Sequence, residues 1–143
     1  MTRLVKIAKM PINKKFLFTE TFIWLGLARL ILLVLPFKQV APWLGKHQIA
    51  TNNYNSAQKE IIDKMAYFIR NASPHTPWES KCLVQAMAAR WMLQRRGIGG
   101  TLYLGVTKEE GENMKAHAWF KCGDLFVTGR KGHRQYTVVS CFG

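Results

Sequence analysis

At 143 residues the chain has the size of one domain, and a 48% share of hydrophobic residues supplies enough apolar material for a packed core, which excludes general disorder. The 21 Lys and Arg against 8 Asp and Glu give a net charge of +13 and a pI near 10.1, a field that draws nucleic acid, anionic lipid or an acidic peptide. No zinc-finger or RNA-binding signature accompanies the scattered basic residues, so nucleic acid is not an expected partner.

The first element is an apolar run over residues 16–35, broken only by Thr19, Glu20, Thr21, Gly26 and Arg29 and ended by Pro36. Its length is near the roughly 20 residues that span a bilayer. Glu20 and Arg29 fall about 180° apart at 100° per residue, so the helix has no clean polar stripe. A span would hold Arg29 near its middle, at about 2.5 to 3.5 kcal/mol on insertion scales. No small-residue cleavage site follows the run, which speaks against a signal peptide. Three readings stay open for residues 1–45: a packed or partner-binding helix, peripheral membrane contact through 16–35, and a span whose basic flank stays in the cytoplasm.

Residues 46–56 are polar and asparagine-rich, a linker to a second region over 57–143. Helical spacing resumes through Ile61, Met65, Phe68 and Ile69, a core stripe, and residues 71–77 form a connecting loop. Residues 78–97 are rich in helix formers and stop at Gly97 after Arg95 and Arg96. Thr76, Pro77 and Glu79 fit a capping box with proline in the first helical position, and Ser80 is an alternative cap. Under either choice Cys82 lies in an early turn, where free N–H groups, the positive dipole end and neighbouring Lys81 favour a thiolate. Taken alone, Cys82 reads as a small buried hydrophobe.

Beyond Gly97 the pattern turns β-rich: residues 100–106, a polar loop over 108–115, a strand over 116–121, a turn at Cys122-Gly123-Asp124, and further strands over 125–128 and 136–141. The fold class is therefore α+β, with N-terminal helices followed by a nucleophile helix packed on a small antiparallel sheet. His117, in Ala116-His117-Ala118-Trp119, begins its strand 35 residues after Cys82. A histidine there can face a cysteine at a helix start, draw the thiol proton and later protonate a leaving amine. The pair reads as nucleophile and base in papain-like logic. Trp119 reads as a core aromatic, and His47, His75 and His133 as surface residues. Cys82, Cys122 and Cys141 are odd in number and lack paired metal spacing, so neither a disulfide framework nor a zinc site is expected and a reducing cytoplasm fits best; thiol-based hydrolysis itself needs no cofactor.

Ser80-Lys81-Cys82-Leu83, the small-residue helix, Arg95-Arg96-Gly97-Ile98, the run from Leu102 to Val106 and Ala116 to Trp119 together resemble the transglutaminase-like cysteine peptidases of lasso peptide biosynthesis. The similarity reaches Leu35-Pro36-Phe37 and the closing residues 138–142, and it is to the stand-alone peptidase chain. The resemblance implies removal of the leader from a ribosomally made precursor peptide, delivery by a small leader-binding recognition protein, and a downstream ATP-dependent cyclase. It also implies a third, aspartate member of the triad, for which Asp124 is the only acid after His117. Register argues against Asp124: a tight turn at Cys122-Gly123 pairs Lys121 with Asp124 and leaves the carboxylate roughly 13 Å from His117, at about 3.3 Å per residue. Asp124 contributes only if the hairpin is bulged or the strand starts elsewhere; otherwise a backbone carbonyl, a side-chain amide or an upstream acid such as Asp63 supplies the orienting contact. Two rivals stand beside hydrolysis: transglutaminase-type transfer of the acyl group to an amine, and a non-catalytic membrane- or peptide-binding protein.

Overall fold

The N-terminal run folds as one long helix, α1 (Ile12–Val34), followed by a single turn, α2 (Phe37–Val40). The computed structural model describes residues 12–40, 42, 54–76, 81–108, 114–130 and 136–143. Most of the expected linker, residues 77–80 of the expected cap, the loop over 109–113, His47 and His133 lie outside the described residues.

One face of α1 is committed to the interior. Phe18, Thr21, Leu25 and Ala28 are buried, a spacing of three, four and three that keeps them on one side of a helix. The buried Thr21 hydroxyl donates to the Leu17 carbonyl at 2.6 Å, so no polar atom is stranded there. Phe18 meets Phe68 edge to face at 4.8 Å, and Trp24 lies against Trp91 at 5.6 Å. Leu25 and Ala28 belong to the same hydrophobic core as the helices and strands that follow.

The next helix, α3 (Ser56–Ala72), begins earlier than the apolar spacing alone indicates. Asn55 Oδ1 accepts from the Gln58 amide at 2.8 Å and Gln58 Oε1 accepts from the Asn55 amide at 3.0 Å, a reciprocal capping box. Ile62, Met65, Phe68, Ile69 and Ala72 form its buried stripe. After one 3₁₀ turn (Ser73–His75) the chain reaches α4 (Cys82–Gln94), which buries Ala86, Met87, Ala88, Ala89, Met92 and Leu93. The alanines let its backbone approach the sheet closely.

Gly97 closes α4 at φ +74°, with the Gly97 amide on the Gln94 carbonyl and the Ile98 amide on the Leu93 carbonyl. This is the paired C-terminal closure that a glycine permits, at the position the sequence pattern marks.

Four antiparallel strands, β1 (Thr101–Lys108), β2 (Met114–Cys122), β3 (Leu125–Thr128) and β4 (Thr137–Phe142), lie in the order β3-β2-β1-β4. Alternation divides the sheet into two faces. Leu102, Ala118, Phe120 and Phe142 enter the core with α4, and Arg90 ties the helix to the strand ends by donating to the Phe142 carbonyl at 3.0 Å. The other face carries a run of stacked rings: Tyr103 on Trp119 at 5.7 Å, Trp119 on His117 at 5.7 Å, and His117 on Tyr136 at 5.0 Å. Gly105, paired with His117, makes room for this run: a Cβ there would lie 2.8 Å from Tyr136 Cβ and 3.0 Å from the Trp119 ring.

The hairpin turn falls one residue later than in the sequence reading, which moves the partner of Lys121 by two residues, from Asp124 to Phe126. Gly123 and Asp124 form the turn, Cys122 pairs with Leu125 and Lys121 with Phe126. A bulge between Phe120 and Lys121 then sets Phe120 opposite Thr128. Gly123 at φ +58° takes the left-handed turn position, which is why the turn falls there and not one residue earlier.

Candidate active site

Cys82 is the first residue of α4, one position closer to the helix end than a Ser80 cap would place it. The preceding cap residue is Lys81, whose side chain has no acceptor and makes no capping hydrogen bond. Thr76 does not cap the helix; its hydroxyl donates to the Ser73 carbonyl at 3.0 Å. The first helical amide bonded back is that of Gln85, to the Lys81 carbonyl at 2.9 Å. The N–H groups of Cys82, Leu83 and Val84 therefore precede the intrahelical ladder, and the Cys82 thiol sits beside them at the positive end of the dipole.

The three cysteines are not equivalent. Cys122 is buried, its Sγ lies 3.7 Å from the Gly99 carbonyl, and burial pushes its thiol up to about 11, against a lowering contribution from the Tyr54 hydroxyl. It is held as the unreactive thiol at neutral pH. Cys82 is half-buried and faces a cleft of about 690 Å³.

Cys82, Gln85 and His117 all line that cleft, as do residues 124–130. Asp63, Ile69 and Arg70 of α3 complete it. His117 lines the cleft beyond the ladder pair of Phe120 with Thr128, where Gly129 follows β3. Cys82 and His117 share the cavity without a mutual hydrogen bond; the imidazole Nε2 is instead 2.8 Å from the Gly129 carbonyl. A carbonyl only accepts, so Nε2 is the donor in this contact, and in the neutral imidazole Nδ1 is the unprotonated nitrogen.

Gly129 is the residue that sequence reasoning missed. Its φ of +72° belongs to the left-handed region, and a Cβ on it would fall 2.5 Å from the Ala118 carbonyl oxygen and 2.6 Å from Trp119 Cβ. Only glycine brings the backbone that close to β2, and that approach delivers the carbonyl to the imidazole. The available signal was a glycine directly after the strand Leu125–Thr128.

Asp124 is exposed in the turn and does not hold the imidazole. Counted from its neighbour Cys122, it lies five residues along β2 from His117, about 17 Å at 3.3 Å per residue. It lines the same cleft at a distance from His117, and Asp63 lines it too. Thr128 adds a further polar group to the wall: its Oγ1 is buried and makes no hydrogen bond. Among the described residues no group of three His, Cys, Asp or Glu side chains is placed to hold a metal ion.

With this geometry in view, comparison with known families is informative. The family description Transglutaminase-like superfamily matches residues 31–141, a stretch that runs from the second half of α1 to the last strand and contains the whole cleft. No curated protein and no solved structure matches the chain.

Proposed function

The chain belongs to the transglutaminase-like superfamily, and on that premise we propose that it is a cysteine peptidase that removes the leader from a ribosomally made precursor peptide. The observation that carries this reading is Cys82 as the first residue of a helix, lining one cleft with a histidine whose tautomer is set by a backbone carbonyl.

In the proposed reaction Cys82 Sγ attacks the scissile carbonyl carbon while the thiol proton passes to His117 Nδ1. The oxyanion forms beside the N–H groups of the first turn of α4, which are the natural donors for it. His117 returns the proton to the leaving amine, the C–N bond breaks, and a thioester to Cys82 is left. Water, deprotonated by His117, then adds to the thioester; the acid leaves and the thiol is restored. The first step needs the thiol and imidazole to meet in the substrate complex, since such contacts commonly tighten only on binding.

The leader-peptidase assignment draws on the resemblance of the cysteine and histidine blocks. The cleft adds two supporting features: its volume suits a peptide segment, and Asp63, Arg70, Asp124 and Arg130 offer both charges to a polar main chain and its side chains. On this reading the precursor is delivered by a small recognition protein, a cyclase acts afterwards, and the work is done in the cytoplasm.

The test is intact-mass analysis of a precursor peptide incubated with the protein and its leader-binding partner, comparing wild type with Cys82→Ala and His117→Ala. A leader-sized loss with wild type alone is the expected result. Cleavage by Cys82→Ala would sink the mechanism, and a mass gain from an added amine would reassign the chemistry to acyl transfer.

A further inference from the structure

Helix α1 is apolar on both sides, yet only one side is used by the fold. Opposite Phe18, Thr21, Leu25 and Ala28 lie Phe16, Ile23, Leu27, Leu30, Leu33 and Val34, all exposed, with Phe16 at 74% and Val34 at 68%. At 100° per residue Phe16, Ile23, Leu27 and Val34 fall within about 40° of one another, and Leu30 adjoins them. An apolar stripe of that length on a helix surface marks a contact with something outside the core.

Charge identifies the occupant. Arg3, Lys6, Lys9, Lys14 and Lys15 precede the stripe, Lys38 and Lys46 follow it, and Glu20 is the only acid before Glu60. Glu20 is itself neutralised: Arg96 donates to both carboxylate oxygens, at 2.8 and 2.9 Å. A second copy of the chain would bring the same +13 charge and the same basic flanks alongside, which opposes self-association. An anionic lipid surface satisfies both features at once, taking the stripe into its acyl boundary and the cations at its headgroups.

Spanning is a different matter. Lys14–Val34 is long and apolar enough to cross a bilayer by length and composition. Crossing would, however, pull Leu25 and Ala28 out of the core, break the Glu20–Arg96 pair and carry Arg29 into hydrocarbon.

We propose that α1 seats its outer face on an anionic bilayer surface, lying in the interface plane while its inner face stays packed on α3 and α4. The proposal does not rest on the catalytic reading. It is compatible with it, because Trp24 and Glu20 of α1 touch Trp91 and Arg96, at the end of α4 away from Cys82.

Co-sedimentation of the full chain with phosphatidylcholine vesicles, with and without phosphatidylglycerol, tests this. Binding to the phosphatidylglycerol vesicles is expected to exceed binding to neutral ones by about tenfold or more and to weaken as salt is raised. A triple variant, Ile23→Ser with Leu27→Ser and Leu30→Ser, is expected to keep the wild-type melting temperature and lose binding by about tenfold or more. Should the triple variant melt early, Leu30→Ser alone decides in its place. The proposal is overturned if anionic vesicles do not bring the protein down, if the folded variant binds as well as wild type, or if the stripe instead supports a concentration-dependent dimer in sedimentation velocity.

Discussion

At its C-terminal end α4 is anchored: Met92 and Leu93 are fully buried, Trp91 lies against Trp24, Arg96 grips Glu20, and Gly97 and Ile98 return their amides to the last turn. At its N-terminal end the same helix starts without a side-chain cap, on a cysteine that borders a cleft. One helix thus divides into an anchored end and an end that the proposed reaction would use. The anchorage fixes the axis along which the N–H groups of the first turn and a thiol are presented.

The sharpest way to break this comparison is Cys82→Ala. If the first turn serves chemistry, activity falls by about a thousandfold or more while the melting temperature is unchanged. A large drop in stability with residual turnover would make the cysteine a packing residue and dissolve the distinction between the two ends.

Next in size is Gly129→Ala. An alanine forced into the left-handed region costs about 1 to 2 kcal/mol, and the contact with the Ala118 carbonyl adds to that or moves the loop. Moving the loop withdraws the carbonyl from His117. The expected outcome is a fall in kcat of about tenfold or more with a displaced pH profile, beyond what lost stability explains. An unchanged profile in folded protein would show that the imidazole is oriented by something else.

Glu20→Gln probes the anchored end. The hydrogen bond from Arg96 holds the Glu20 carboxyl below its ordinary range, against burial, which raises it. A carboxylate with a lowered folded-state pKa contributes stability above its unfolded value, and that contribution is lost as pH falls through the folded value. Wild type should therefore lose stability below the ordinary carboxylate range more steeply than Glu20→Gln. At neutral pH the variant should be less stable by about 2 kcal/mol, the scale of a charge-assisted pair, with kcat retained. Equal acid sensitivity of the two proteins in thermal melts would remove Glu20 from the anchorage.

What the sequence made legible follows the physics of each element. The strands were readable because β-branched and aromatic runs separated by Gly123-Asp124 and polar loops have few alternatives, and the end of α4 because Gly97 has one conformational use. The start of α3 was legible in Asn55 and Gln58, but apolar spacing alone pointed to a later residue. The group that orients His117 was not legible. The sequence offered a backbone carbonyl among several candidates but could not single one out, because the Gly129 carbonyl is positioned by a bulge and a positive φ. The two faces of α1 were hidden for a related reason: a helix apolar all round gives no periodic signal until its neighbours are known.

The smallest expected effect separates the two reaches of the cleft. Asp124 is exposed in the β2–β3 turn and shares the cavity with His117 without touching it. If the imidazole depends on Gly129, Asp124→Asn leaves the pH dependence of kcat unchanged and alters KM by less than about threefold, the scale of a surface charge near a substrate. Were Asp124 the orienting acid, its loss would instead depress kcat by orders of magnitude, as removal of a triad aspartate does. The variant thus tests, with one neutral substitution, whether this cleft runs on a cysteine and a histidine held by the backbone. An intact kcat paired with a raised KM would further place Asp124 where a cationic portion of the substrate rests.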